Sequence, residues 1–146
     1  MLLDQLKLDL TAAVKNRDHS RVLVLRFLLA EIHNQEIELH SRQQKLTEEV
    51  ILAIIQKEVH RRQEAILAFQ QGHRADLAAR ELAEQKILQT YLPPILTDQE
   101  LLLLIKDVIA KINSHDFGLI MKTVISQVKG RAHGQKVAFL VKSLLD

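Results

Sequence analysis

Apolar residues recur along this chain at steps of three and four, the spacing that keeps them on one face of an α-helix. Leu3, Leu6, Leu10 and Val14 form the first such stripe and predict a helix over 2–15. Asn16-Arg17-Asp18 interrupts it, and Asp18 or Ser20 can cap the next helix by accepting from its free backbone N–H groups. Val22, Leu25, Leu29 and Ile32, widened by Phe27 and Leu28 as a bundle helix requires, predict a second helix over 19–40. A third opens after Thr47, with Glu48 and Glu49 at the positive end of its dipole. It carries Ile51, Ile54, Ile55, Ile66 and Phe69 and ends at Gln71-Gly72, where Gly72 is free to turn left-handed. Ala79, Ala83, Ile87 and Tyr91 recur every fourth residue and predict a fourth helix over 74–91, its small residues set for close helix contact.

Leu92-Pro93-Pro94 then stops the helical pattern, because proline lacks an N–H and restricts the residue before it. Thr97-Asp98-Gln99-Glu100 has the form of a capping box, and a fifth helix follows to Ile112. A sixth is predicted over 117–128 and a seventh over 135–145, joined by the glycine-bracketed basic turn Lys129–Gly134. No segment alternates long enough to argue a strand. The expectation is an all-α protein: an N-terminal bundle of about four helices over 1–94 and a small three-helix domain over 95–146.

Composition narrows the chemistry. The chain has no cysteine, which excludes disulfides, a zinc–thiolate site and a cysteine nucleophile. Its longest near-apolar runs, Val22–Ala30 and Leu101–Ile105, fall far short of the ~20 residues that span a bilayer. Asp4 lies in the first turn with no basic leader around it, and these features together predict a cytoplasmic protein with no membrane partner.

The formal charge is only +2, but it is unevenly placed. Residues 1–94 hold 13 basic and 13 acidic side chains, and residues 95–146 hold 7 and 5. Between Asp116 and Asp146 no acidic residue occurs, while Lys122, Lys129, Arg131, Lys136 and Lys142 do. The last stretch is a local positive field on a nearly neutral chain.

Seven histidines raise the question of a metal, yet none has a glutamate three residues before it as in carboxylate-bridged bundles. His33 with His40, and His60 with Glu64, could each supply two ligands, which is not a site. No serine sits in a nucleophile elbow. Gly130-x-x-x-Gly134-Gln135-Lys136 is one residue short of a phosphate loop, lacks its Ser or Thr, and follows no strand. The sequence therefore predicts no catalytic residues, no metal and no cofactor. A phosphate-binding turn remains: Lys129, Gly130, Arg131, His133, Gly134 and Lys136, with Lys122 on the preceding helix, are the candidate RNA-binding residues. Lys129 and Arg131 are expected on an exposed turn, in direct contact with phosphate. Phe117 and Phe139 lie among apolar neighbours in sequence, so no base-stacking platform is expected and phosphate contacts should dominate.

Arg21-x-x-x-Leu25-Arg26-x-Leu28-Leu29-Ala30-x-Ile32, Asn34-x-Glu36-Ile37, Glu58-x-x-x-Arg62, Tyr91-Leu92-Pro93-Pro94 and Val128-Lys129-Gly130-Arg131-Ala132, in this order, resemble the GatB/YqeY family across nearly the whole chain. Such chains are similar to the helical tail of the B subunit of the glutamine-dependent tRNA amidotransferase. The resemblance implies a helical N-terminal bundle and a C-terminal three-helix domain, and a tail that reaches the body of a tRNA while the chemistry occurs elsewhere. Two positions depart from the family pattern: Gly118-Leu119-Ile120-Met121 has leucine and isoleucine where Gly-Lys-Val-Met is expected, and His133 follows Ala132. The lost lysine weakens the expected RNA contacts on helix six.

Three functions compete on this reading. The first is a non-catalytic accessory module that binds tRNA or another structured RNA. The second is a protein-interaction module docking on a translation-related enzyme, favoured by Leu101–Ile105 covering more than one helix face. The third is a carbon–nitrogen ligase with glutamine as amido-N-donor, acting only with a partner.

Overall fold

The computed structural model describes residues 1–146 as seven α-helices and no strand. They are α1 (Leu2–Lys15), α2 (His19–Ser41), α3 (Glu48–Gln71), α4 (Ala75–Gln89), α5 (Asp98–Ile112), α6 (Phe117–Val128) and α7 (Gly134–Leu145). Packing divides them into two compact units, Met1–Leu92 and Pro93–Asp146.

In the first unit α3 and α4 form the most extensive pair, and α1 and α2 pack on each other and on that pair. The shared core is aliphatic: Leu6 from α1, Val24, Leu25, Leu28 and Ile32 from α2, Ile51 and Ile55 from α3, and Leu88 from α4. Burying a side chain of this kind contributes roughly 1.5–3 kcal/mol. Two stripes run differently from their sequence reading. Val14 and Phe27 are exposed, while Ala13 and Val24 are buried. In a helix buried along one side, a residue one position away swings about 100°, so a broad apolar stretch leaves its inward centre undecided.

Helix starts follow the expected chemistry. Asp18 accepts from the Arg21 N–H at 3.2 Å, and Thr47 accepts from Val50 N–H at 3.3 Å. The exits from α1, α2 and α3 share one geometry. Asp18, Gln44 and Arg74 donate their N–H groups five residues back, to Ala13, Leu39 and Phe69 carbonyls at 3.0, 2.8 and 2.8 Å. That bond forces the residue before each donor into the left-handed region, and Arg17, Gln43 and His73 sit there at φ 54°, 59° and 57°. Gly72, expected to take this role, keeps φ −84° because it stands one position too early.

α4 is the clearest correction. Ala79 and Ala83 face solvent, and Ala78, Glu84, Gln85 and Leu88 face inward. The reason lies on α3. Arg62 lies beside Glu84, reaches Glu81 Oε2 at 3.0 Å and stands 3.4 Å from Glu58 Oε1. Gln85 Nε2 donates to the Val59 carbonyl at 3.2 Å and to Gln63 Oε1 at 3.0 Å. Partners on α3 let a carboxylate and an amide occupy the helix interface where alanines would otherwise fit.

The second unit packs α5, α6 and α7 against one another around Leu101, Ile105, Val108, Ile120, Val124, Val128, Val137 and Val141, each at most 1% exposed. Thr97 and Glu100 complete the capping box at the start of α5, and Asp116 caps α6 through Gly118 N–H at 3.0 Å. Of the leucine run in α5, Leu101 and Ile105 are buried and Leu103 is exposed. No helix of the chain is long and apolar enough to cross a membrane.

Candidate nucleic-acid interface

The expected RNA-binding residues lie where α6, the basic turn and α7 succeed one another. Lys122 is exposed on α6, and Lys129, also exposed, is the residue that closes the helix seven positions later. Lys129 ends α6 in the left-handed conformation at φ 51°, and Gly130 follows at φ 79°. Two consecutive positive φ values reverse the chain, and the second is affordable mainly because glycine has no Cβ.

Arg131, expected on an exposed turn, has one of its donors engaged within the fold. Its Nε donates to the Pro94 carbonyl at 2.9 Å, and its own carbonyl accepts from Leu96 N–H at 2.8 Å. The side chain is half-buried and pins the segment before α5 to the turn before α7. Sequence spacing could not reveal this, because the acceptor is a backbone carbonyl 37 positions away.

His133 is the exposed N-cap residue of α7 and makes no side-chain cap bond. Gly134 is the first residue of that helix, with open space around the position a Cβ would take. Lys136 pairs with Asp98 in the first turn of α5. A phosphate at the start of α7 would have to displace that carboxylate from Lys136.

The aromatic residues also depart from expectation. Phe139 is 69% exposed, the most exposed large apolar side chain of the molecule. Lys142 Nζ lies over the Phe117 ring, 5.7 Å from its centroid, a cation–π arrangement. The sequence signal that could have found this is the α7 stripe Lys136, Phe139, Lys142, which alternates with the buried pair Val137 and Val141.

Arg61, Arg62 and Arg80 stand against Glu58, Glu81 and Glu84, a balanced set of three and three between α3 and α4. Its charges balance, with Arg62 Nε alone left buried without a hydrogen bond, which makes it an internal clasp. No three His, Asp or Glu side chains converge as metal ligands, and His60 meets only Glu64, at 3.3 Å on the exposed face of α3. A cleft of about 290 Å³ opens between α2 and α3, floored by Phe27, Leu28, Val50 and Ile54 and edged by Glu31 and Lys57. At the end of the first unit, Tyr91 donates its hydroxyl to Asp9 Oδ2 at 2.5 Å. Burial, then the Asp9 carboxylate, push the Tyr91 hydroxyl well above the usual phenol range.

The sequence matches the family model described as Yqey-like protein over residues 3–145. The chain belongs to the YqeY-like family. Among curated members' relatives it is similar to "Altered inheritance of mitochondria protein 41, mitochondrial" of Vanderwaltozyma polyspora, 30% identical over 125 residues, which is 84% of this chain and 66% of that protein. The proteins of the same name from Eremothecium gossypii and Kluyveromyces lactis are each 35% identical, over 68% and 59% of this chain and 54% and 45% of their own lengths. The chain thus spans between 45% and 66% of these three relatives.

These names correct the expectation of a cytoplasmic protein, since the relatives are named as mitochondrial. The physical reason is that a cysteine-free helical composition suits any reducing compartment. A targeting segment is read before folding, so the fold itself does not reveal the compartment.

Proposed function

We propose that this YqeY-like protein is a non-catalytic accessory module that binds tRNA or another structured RNA through its C-terminal unit. The observation that carries the reading is the acid-free stretch between Asp116 and Asp146, with Lys122, Lys136 and Lys142 exposed on α6 and α7. Lys122 on α6 and Lys129 at its end supply phosphate contacts, and Arg131 holds the turn through its Nε. Its weight is electrostatic, so binding is weak and salt-dependent.

The test is a salt titration of the full chain against folded tRNA. With about three phosphates neutralised, log affinity should fall against log salt at a slope of roughly −2 to −3. Lys122→Gln with Lys129→Gln should weaken binding to all RNAs and flatten that slope. Arg131 is left intact, because replacing it would loosen the Pro94 contact and confound the result. Equal binding by both proteins would overturn the reading. Protein docking would then lead, supported by Leu103, 68% exposed on α5.

A further inference from the structure

We propose that the outer face of α7 is a stacking platform for an unpaired base, which makes the preferred ligand a single-stranded or bulged RNA segment. This rests on the RNA-binding reading above and sharpens its ligand class.

Phe139 stands outside the core of its unit. In a unit whose eight core positions are all Leu, Ile or Val, the largest apolar side chain of α7 points to solvent. It is not needed to fill the core, which Val137 and Val141 close from the opposite face at 0% exposure. Lys136 and Lys142 stand three residues before and after it, so one helical turn separates the ring from a cation on each side. That spacing, about 4.5 Å of helix rise to each lysine, lets a base lie on the ring while its flanking phosphates meet the ammonium groups, the one at Lys136 taking the place of Asp98. Lys142 also lies over the Phe117 ring, so its ammonium already meets one aromatic face.

Charge selects the occupant. Among the acids of this unit, Asp98 pairs with Lys136, Asp116 caps α6 beside the Phe117 ring, and Asp146 lies one turn past Lys142. An exposed aromatic ring between two lysines matches the alternation of flat base and anionic phosphate along a single strand. A regular duplex offers the phosphates but keeps its base faces stacked internally. Phosphate contact alone would need the lysines and not the ring; stacking needs both.

The experiment uses the full chain and two RNA probes of equal phosphate number, a uridine decamer and a short perfect duplex. Phe139→Ala should weaken decamer binding about 5- to 100-fold, the range for losing one stacked base, and leave duplex binding within about twofold. Its salt slope should not change, because no phosphate contact is lost. Phe139→Trp should keep or tighten decamer binding. The chain has no tryptophan of its own, so the introduced indole is the sole such fluorophore and its quenching by the decamer reports stacking directly. Phe139→Leu should bind the decamer as weakly as Phe139→Ala. Lys142→Gln should weaken both probes and flatten the salt slope.

Equal loss on both probes, no loss on either, or full rescue by Phe139→Leu would overturn the platform. If wild type binds both probes and Phe139→Ala is indifferent, the RNA-binding reading stands and this inference falls. If wild type binds neither, both fall. If Phe139→Ala leaves RNA binding intact but abolishes self-association in sedimentation, or binding to anionic phospholipid vesicles, the face belongs to that occupant and the platform is overturned. Phe139 is exposed, so the variants should retain the helical circular dichroism of the wild type.

Discussion

Arg62 and Lys142 carry the same charge into opposite settings. Arg62, with its side chain 15% exposed, stands among Glu58, Glu81 and Glu84 between α3 and α4. Lys142 lies over an aromatic ring on an exposed face of α7. The first unit takes charge into its helix interface and balances it there. The second unit builds its core from aliphatic residues alone and leaves its cations outside. Buried, paired charge holds helices in register; exposed charge on a unit with few acids is available to a partner.

The largest effect should come from breaking the clasp. Arg62→Ala leaves three carboxylates facing one another and should destabilise the first unit by about 3–5 kcal/mol in chemical denaturation. A loss below about 1 kcal/mol would mean that water already solvates the network and that the contrast between the units is superficial. For the second unit the matching change is aliphatic. Ile120→Ala, at a position with 0% exposure, should cost about 2–5 kcal/mol by the same measurement.

Tyr91→Phe removes the hydrogen bond to Asp9 and should cost about 1–2 kcal/mol. Its pH dependence has a definite sign. The folded hydroxyl ionises above the unfolded value of about 10, so its contribution is fully present below that pH and is lost as pH rises through the folded value. Tyr91 is the one tyrosine of the chain, so phenolate absorbance reads it alone. Asp9→Asn should move that absorbance change toward lower pH.

A smaller effect has the opposite direction. Gln43→Gly relieves a left-handed residue at the exit of α2 and should stabilise by about 0.5–1 kcal/mol, read as a raised Tm. The smallest is Lys136→Gln. Its partner Asp98 is 73% exposed, and a surface pair of this kind should be worth less than about 0.5 kcal/mol. A large loss there would make Lys136 a second clasp rather than a surface cation.

Much of the local structure was legible in the residues. The 3.6-residue period, the Thr97–Glu100 box, the Asp18 and Thr47 caps and the double proline depend on neighbours within a few positions, and the helices begin and end close to where these signals stand. Seven helices and an all-α fold follow from them. The inward face of α4 was not legible, because Glu84 and Gln85 are buried only where α3 supplies Arg62, Gln63 and the Val59 carbonyl. The tie from Arg131 to the Pro94 carbonyl was hidden for the same reason: nothing near Arg131 in sequence reveals that acceptor. Phe139 read as one more apolar residue until Val137 and Val141 claimed the core and turned it outward. Sequence by itself determined what depends on short-range periodicity and backbone capping. Only the tertiary structure decided which polar and aromatic side chains found partners and which were left to solvent, because those partners come from helices distant along the chain.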